Sequence, residues 1–233
     1  MKKIRNLLGV AAMMLLVAAL LLTSFQMAIY GDREYRFYQR EYEKYQVAES
    51  LNMEMEDIMD VTDQMMAYLI GQKEELSVIT KVDGRTQDFF NEQDRFHMGE
   101  VRNLFLGGLR LRNYFLIITA ALIILLALWK AELGRILPAA YFTALGIFGV
   151  LTAVLGGLIA SDFNKYFTIF HEIFFDNDLW IFDPATDYMI RMLPEGFFYD
   201  FVIRIGSFFV GGLVFIGALA GIWMVCVKKR ENN

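Results

Sequence analysis

The sequence predicts an all-α membrane protein: four transmembrane helices with a mostly helical extracellular cap that contains one small β-hairpin. Three observations carry that prediction. Hydrophobic residues make up 56% of the 233 residues and the mean hydropathy is positive, which is too apolar for an ordinary soluble domain. Four runs, at 7–29, 114–129, 136–160 and 205–227, contain no charged residue, and about 20 apolar residues cross the hydrocarbon of a bilayer. Short basic segments are also gathered where one side of the membrane is expected. "MKKIR", "KAELGR" and "KKRENN" hold eight Lys and Arg with only Glu132 and Glu231 against them, while the remaining 14 basic residues face 25 acids.

By the preference of basic loops for the cytoplasm, residues 1–29 read as a cytoplasmic N-terminus and first span. Residues 30–113 form an extracellular cap, 114–160 the second and third spans with a short cytoplasmic loop, and 161–204 a second extracellular segment. Residues 205–233 supply the fourth span and a cytoplasmic tail. The first run is too long for a signal-peptide core and "SFQMA" is a poor cleavage site, so it reads as an uncleaved anchor. The second run, at 114–129, is short and is expected to extend through "GGLRLRN", with Arg110 and Arg112 snorkelling to the interface. Ala153-xxx-Gly157 and Gly217-xxx-Gly221 are expected to allow tight helix approach. The lone Cys226 lies in the last span and excludes a disulfide framework.

Within the cap, Tyr35, Tyr38, Tyr42 and Tyr45 recur at helical spacing and predict a helix that packs this stripe on other cap elements or the headgroup layer; contact with a lipid chain is the alternative. "MEMEDIMDVTDQMMAYLIG" predicts an amphipathic helix with acids in its first turn and Gly71 as its stop. Asp83-Gly84 between two β-prone runs predicts a hairpin. A further helix is expected to begin near His97 and run toward the second span.

Several chemistries are missing. "HEIFF" opens like a zinc-protease motif, but Phe175 stands where the second histidine belongs, so no metal site is expected. There is no GxSxG elbow, no phosphate-cradling glycine loop and no buried charge within the spans to mark an ion path. Acidity of the outward segments argues against nucleic acid as a partner. What remains outside the spans is two histidines, His97 and His171. Two imidazoles can act as base and acid on one reacting carbonyl; they can equally be structural, bonded to interfacial carboxylates or carbonyls. Asp176, Asp178, Asp183 and Asp187, with Asn177 and Pro184, read as turn and cap residues because their spacing forms no EF-hand loop. The rings of 164–188 read as an interfacial belt or as a dry wall around an acyl chain.

The ordered set "YEKYQVAESLNM", "VTDQMMAYLIG", "VDGRTQDFFNEQDRFHMGEVRNLF" and "FHEIFFDNDLWIFDPATDYMIRMLPEGFF", framed by four spans, resembles the bacterial lipoprotein intramolecular transacylases over nearly the whole chain. Its most specific pieces are "FHMGEV" and the combination His171, Asn177, Trp180, Asp183-Pro184, Asp187 and Pro194. The family commonly carries Asp where this chain has Glu100. The resemblance implies a four-helix membrane enzyme with catalytic histidines at the junction of cap and membrane, at His97 and His171. It implies a diacylglyceryl-modified lipoprotein as substrate, membrane lipid around it, and no cofactor. The implied reaction moves the sn-2 acyl chain to the α-amine of the lipoprotein's N-terminal cysteine and leaves a lyso-form lipoprotein. His171 is favoured as the base and His97 as the polarising acid, with Glu100, Asn177, Trp180 and Asp183 as residues that orient the histidines or the substrate headgroup. Two rival readings stay open: a non-enzymatic membrane-anchored binding module, and a histidine-dependent lipid ester hydrolase.

Overall fold

In a computed structural model, which describes residues 1–231, the chain forms nine helices and one hairpin among those residues. In order these are α1 (Lys2–Tyr30), α2 (Arg36–Lys44), α3 (Val47–Leu51), α4 (Met55–Leu69), β1 (Ile79–Val82), β2 (Arg85–Asp88), α5 (Glu92–Leu128), α6 (Leu133–Ser161), α7 (Phe163–Phe174), α8 (Tyr188–Met192) and α9 (Glu195–Glu231). Helices α1, α5, α6 and α9 are long and apolar enough to cross a membrane. The predicted all-α class, with four long apolar helices and one small hairpin, is the observed one. The described residues divide into two compact units, one of residues 1–26, 109–160 and 205–231, the other of residues 27–108 and 161–204.

The first unit is built from the apolar stretches. Ala12, Met13, Val17, Ala140, Tyr141, Ala144, Phe209 and Leu213 form its interior. In such a setting small residues decide how closely backbones approach. The close contacts fall at Gly9 and Gly212: a Cβ added to them would lie 2.5 Å from Ile136 and 2.7 Å from Leu20. This corrects the expected motifs, because Ala153 is exposed and a Cβ on Gly157 or Gly221 meets nothing within 4 Å, while one on Gly217 would touch Tyr141 at an ordinary 3.5 Å. Tyr141 donates its hydroxyl to the Leu213 carbonyl at 2.5 Å, satisfying a polar group where water is absent. Arg112 is held by the side chains of Gln26 and Asn113.

The second unit has an aromatic core. On α2, Tyr38 and Tyr42 are buried and pack on Phe197 and Phe201, and Tyr42 shares a 2.8 Å hydrogen bond with Thr62. The tyrosine stripe therefore faces protein. Helix α4 carries Glu56 and Asp57 in its first turn. It stops at Gly71, whose φ of 81° lets the amides of Gly71 and Gln72 fold back onto the carbonyls of Tyr68 and Ala67. The hairpin pairs Val82 with Arg85 and Ile79 with Asp88, with positive φ at both Asp83 and Gly84, the backbone that a two-residue turn of this hand requires.

Helix α5 begins at Glu92, five residues before the expected start near His97. A reciprocal cap explains the difference. Asn91 Oδ1 accepts from the Asp94 amide and Asp94 Oδ2 accepts from the Asn91 amide, both at 2.9 Å, which satisfies two of the donors a helix start leaves open. Two turns of helix thus precede Glu100, and His97 sits inside the helix rather than at its end.

Candidate active site

All the candidate residues lie in the second unit, on α5, on α7 and on the 175–187 loop that follows α7. Gln93, His97 and Glu100 fall at i, i+4 and i+7, one stripe of α5. The loop is fastened along that stripe. Gln93 Nε2 donates to the carbonyls of Leu179 and Ile181 at 3.2 and 2.9 Å, and Asn177 Nδ2 donates to Glu100 Oε1 at 2.8 Å. Just before the stripe, Asn91 Nδ2 donates to Asp187 Oδ1 at 2.6 Å. Between these fasteners stands His97.

His171 comes from the last turn of α7, a helix whose start is capped by the Asp162 carboxylate on the Lys165 amide at 3.1 Å. The two imidazoles face each other with ring centroids 5.9 Å apart and an interplanar angle of 29°. Both are buried, at 6% and 7% exposed. Rings enclose them: Phe175 lies 4.8 Å from His97 and 5.5 Å from His171, Phe182 lies 5.5 Å from His97, and Phe167 and Trp180 lie 4.3 and 4.8 Å from His171.

The tautomer of His171 follows from its partner. Its Nδ1 is 2.7 Å from the Phe167 carbonyl, and a carbonyl only accepts, so Nδ1 carries the proton and Nε2 keeps its lone pair. Burial lowers the pKa of both histidines, that of His97 to about 4, with the neighbouring His171 adding to the effect on His97. Near neutral pH the pair is uncharged. His97 Nδ1 is buried without a hydrogen bond, 4.0 Å from Glu100 Oε2, which is buried without one as well. A small movement of the carboxylate would close that gap. The arrangement can therefore accept a proton at His171 Nε2 and has a carboxylate beside His97 for any imidazolium formed there.

Of the other expected site residues, Glu100 stands beside His97 and Trp180 beside His171, while Asn177 reaches the pair only through its bond to Glu100. Asp183 does not: its carboxylate accepts from the Ala185 amide at 2.9 Å and its carbonyl takes the Thr186 and Asp187 amides, so it shapes a turn. Asp187 Oδ2 accepts the Asp183 amide at 2.7 Å and locks that turn. A residue that spacing did not single out is Asp94. It is fully buried one helical turn before His97, one of its oxygens has no hydrogen bond, and burial, with Asp187 nearby, raises its pKa to about 6. The only sequence signal for it is the N-x-x-D spacing of the cap.

Four long apolar helices define a polytopic membrane protein, and the buried pair of imidazoles is its candidate site. The family model of the lipoprotein intramolecular transacylase Lit matches residues 10–198, and the chain belongs to this family. The solved structure of the membrane integral lipoprotein intramolecular transacylase Lit from Bacillus cereus superimposes with a TM-score of 0.78 at 22% identity over all of both chains. Two variants of that Bacillus cereus protein, one histidine being replaced by arginine in one and by alanine in the other, give TM-scores of 0.76 at 22% identity. They cover all of this chain and 96% and 97% of theirs. No curated protein sequence matches the chain.

Proposed function

We propose that the protein transfers the sn-2 acyl chain of a diacylglyceryl-modified lipoprotein to the α-amine of that lipoprotein's own N-terminal cysteine, leaving a lyso-form product. Family membership supports a transacylase. The observation that carries the particular reaction is the pair of facing, neutral imidazoles, one with its tautomer set by a backbone carbonyl, inside a cage of rings. A substrate that holds both amine and ester needs no protein nucleophile, and the chain's single cysteine belongs to the other unit.

Proton balance gives each histidine a task. The α-ammonium loses two protons as it becomes an amide nitrogen; the departing glyceryl oxygen gains one and water receives the other. His171 Nε2 takes a proton from the attacking nitrogen. His97 polarises the ester carbonyl and relays to the glyceryl oxygen the proton that His171 took, with Glu100 stabilising the His97 imidazolium while it exists. The nitrogen–acyl bond forms as the oxygen–acyl bond breaks. Burial makes both histidines weaker bases, yet it guarantees a free lone pair when the amine arrives. Holding amine and ester together can lower the barrier by about 7 to 11 kcal/mol, and the rings keep out the water that would hydrolyse the ester.

The test is mass spectrometry of lipoprotein N-termini from purified protein and substrate. Transfer within the molecule keeps the mass constant while one acyl chain passes from a base-labile ester to a base-stable amide. Loss of one acyl mass, the signature of a hydrolase, or an unchanged base-labile substrate, expected of a binding module, contradicts the reading.

A further inference from the structure

Helix α7 presents three different sectors around its axis. One faces the protein and carries the half-buried Phe167, the buried His171 and, just past its end, the buried Phe175. A second is exposed and polar, with Lys165 and Glu172. The third is exposed and apolar: Phe170, Ile173 and Phe174 are 41%, 68% and 50% accessible, and with the half-buried Tyr166 they fall at i, i+4, i+7 and i+8. The apolar sector borders the one that holds His171. Outside α7, Ile181 on the following loop and Phe96 on α5 are also exposed, at 57% and 53%, and Gln93, one turn from Phe96, binds the Leu179 and Ile181 carbonyls.

We infer that this apolar sector is a lipid-contact surface, with α7 lying in the plane of the membrane and Phe170, Ile173 and Phe174 set into the acyl region of one leaflet. Two observations select lipid over a protein partner. Only Asp162 separates the α7 start from the end of the apolar helix α6, so the chain enters α7 at the membrane boundary. The sector division, rings and aliphatics on one side and Lys165 and Glu172 on the other, is that of a helix shared between hydrocarbon and headgroups over its length of about 18 Å. A contiguous exposed apolar patch of this kind on a folded chain marks an interaction site. In combination with the proposed reaction, on which this part rests, the surface is the side from which an ester whose chains already lie in the leaflet reaches the Nε2 of His171.

The experiment uses the full chain in vesicles of phosphatidylethanolamine and phosphatidylglycerol, with Cys226→Ser as background and spin labels at Ile173→Cys, Phe174→Cys and, as a polar-sector control, Glu172→Cys. Collisions with oxygen report hydrocarbon, and collisions with a water-soluble nickel chelate report solvent. Labels at 173 and 174 should favour oxygen and the label at 172 the chelate. Equal chelate access at all three positions overturns the inference, and so does low access to both reagents at 173 and 174, which would mean a protein covers them. None of these outcomes depends on turnover, so they stand apart from the fate of the proposed reaction. Ile173→Gln with Phe174→Gln should lower turnover in the same vesicles by about tenfold with an unchanged melting temperature; unchanged turnover overturns the approach route.

Discussion

The two buried imidazoles, His97 and His171, are proposed to govern how the candidate site responds to substitution and to pH. His97→Gln and His171→Gln should each reduce turnover by roughly a hundredfold or more with melting temperatures close to the parent, as measured by N-terminal mass spectrometry and a thermal melt; full activity in either variant removes that residue from the mechanism. Because burial holds both pKa values below the ordinary 6.5, the histidines stay neutral above that pH. The rise of turnover toward alkaline pH should then follow the substrate ammonium, near 8. Stability shows a different balance. The unfolded chain protonates His97 near 6.5 and the folded one only near 4, so this residue's contribution is fully present above 6.5 and lost as the pH falls, on the order of 3 kcal/mol in all. Asp94 works in the opposite sense, since its folded pKa of about 6 exceeds the ordinary 3.8 of an aspartate and the folded state gains a proton first. Between about pH 6 and 4 the two offset. Asp94→Asn, which keeps the cap acceptor, should expose a steeper acid loss of stability than the parent shows in melts across this window; an unchanged slope contradicts the assignment. The histidines were legible because the chain has only two. Asp94 was not, because a short acid near a helix start has the same letter pattern whether it faces solvent or the interior.

Helix α5 owes its site to where it starts. The Asn91–Asp94 cap sets the register that turns Gln93, His97 and Glu100 toward the 175–187 loop. Asn177→Ala should free both the loop and the Glu100 carboxylate, lowering turnover by about ten- to a hundredfold while stability falls by about 1 kcal/mol; equal turnover in the variant and the parent would show that this fastening is irrelevant to the site. The hairpin and the Gly71 stop were readable from sequence because Asp-Gly and a terminal glycine dictate unusual backbone locally. The start of α5 was missed by five residues since "FNEQDRFH" holds polar letters before the apolar period begins. Small-residue spacing misled in the spans, where Gly157 and Gly221 face open space and Gly9 and Gly212 make the contacts. A glycine pair marks a face that could be approached, and only the packing of large partners such as Ile136 and Leu20 decides which face is.

The chain as a whole couples four apolar helices to an acidic, ring-rich unit, and charge gives it a proposed direction. Both termini and the 130–135 loop are assigned to the cytoplasm and the histidine-bearing unit to the outside, supported by eight basic residues against two acids in the former segments. Single-cysteine labelling should find positions 60 and 180 reactive from outside and position 132 only after permeabilisation; position 180 in the cytoplasm would reverse the orientation and the site's sidedness. That four spans and a cap were readable follows from length and apolarity alone, whereas bringing residue 97 to residue 171 required the folded unit. Acyl transfer is proposed to stay within one lipoprotein molecule, between two histidines and with no protein-bound acyl group. It is tested most directly by giving the protein an equal mixture of two lipoproteins, distinguishable by peptide mass, one carrying light acyl chains and the other heavy ones, and weighing each product. Every lyso-form product should keep the label of its own parent, with both chains retained. Exchange of label between the two peptides, or a product with three acyl chains, would contradict it.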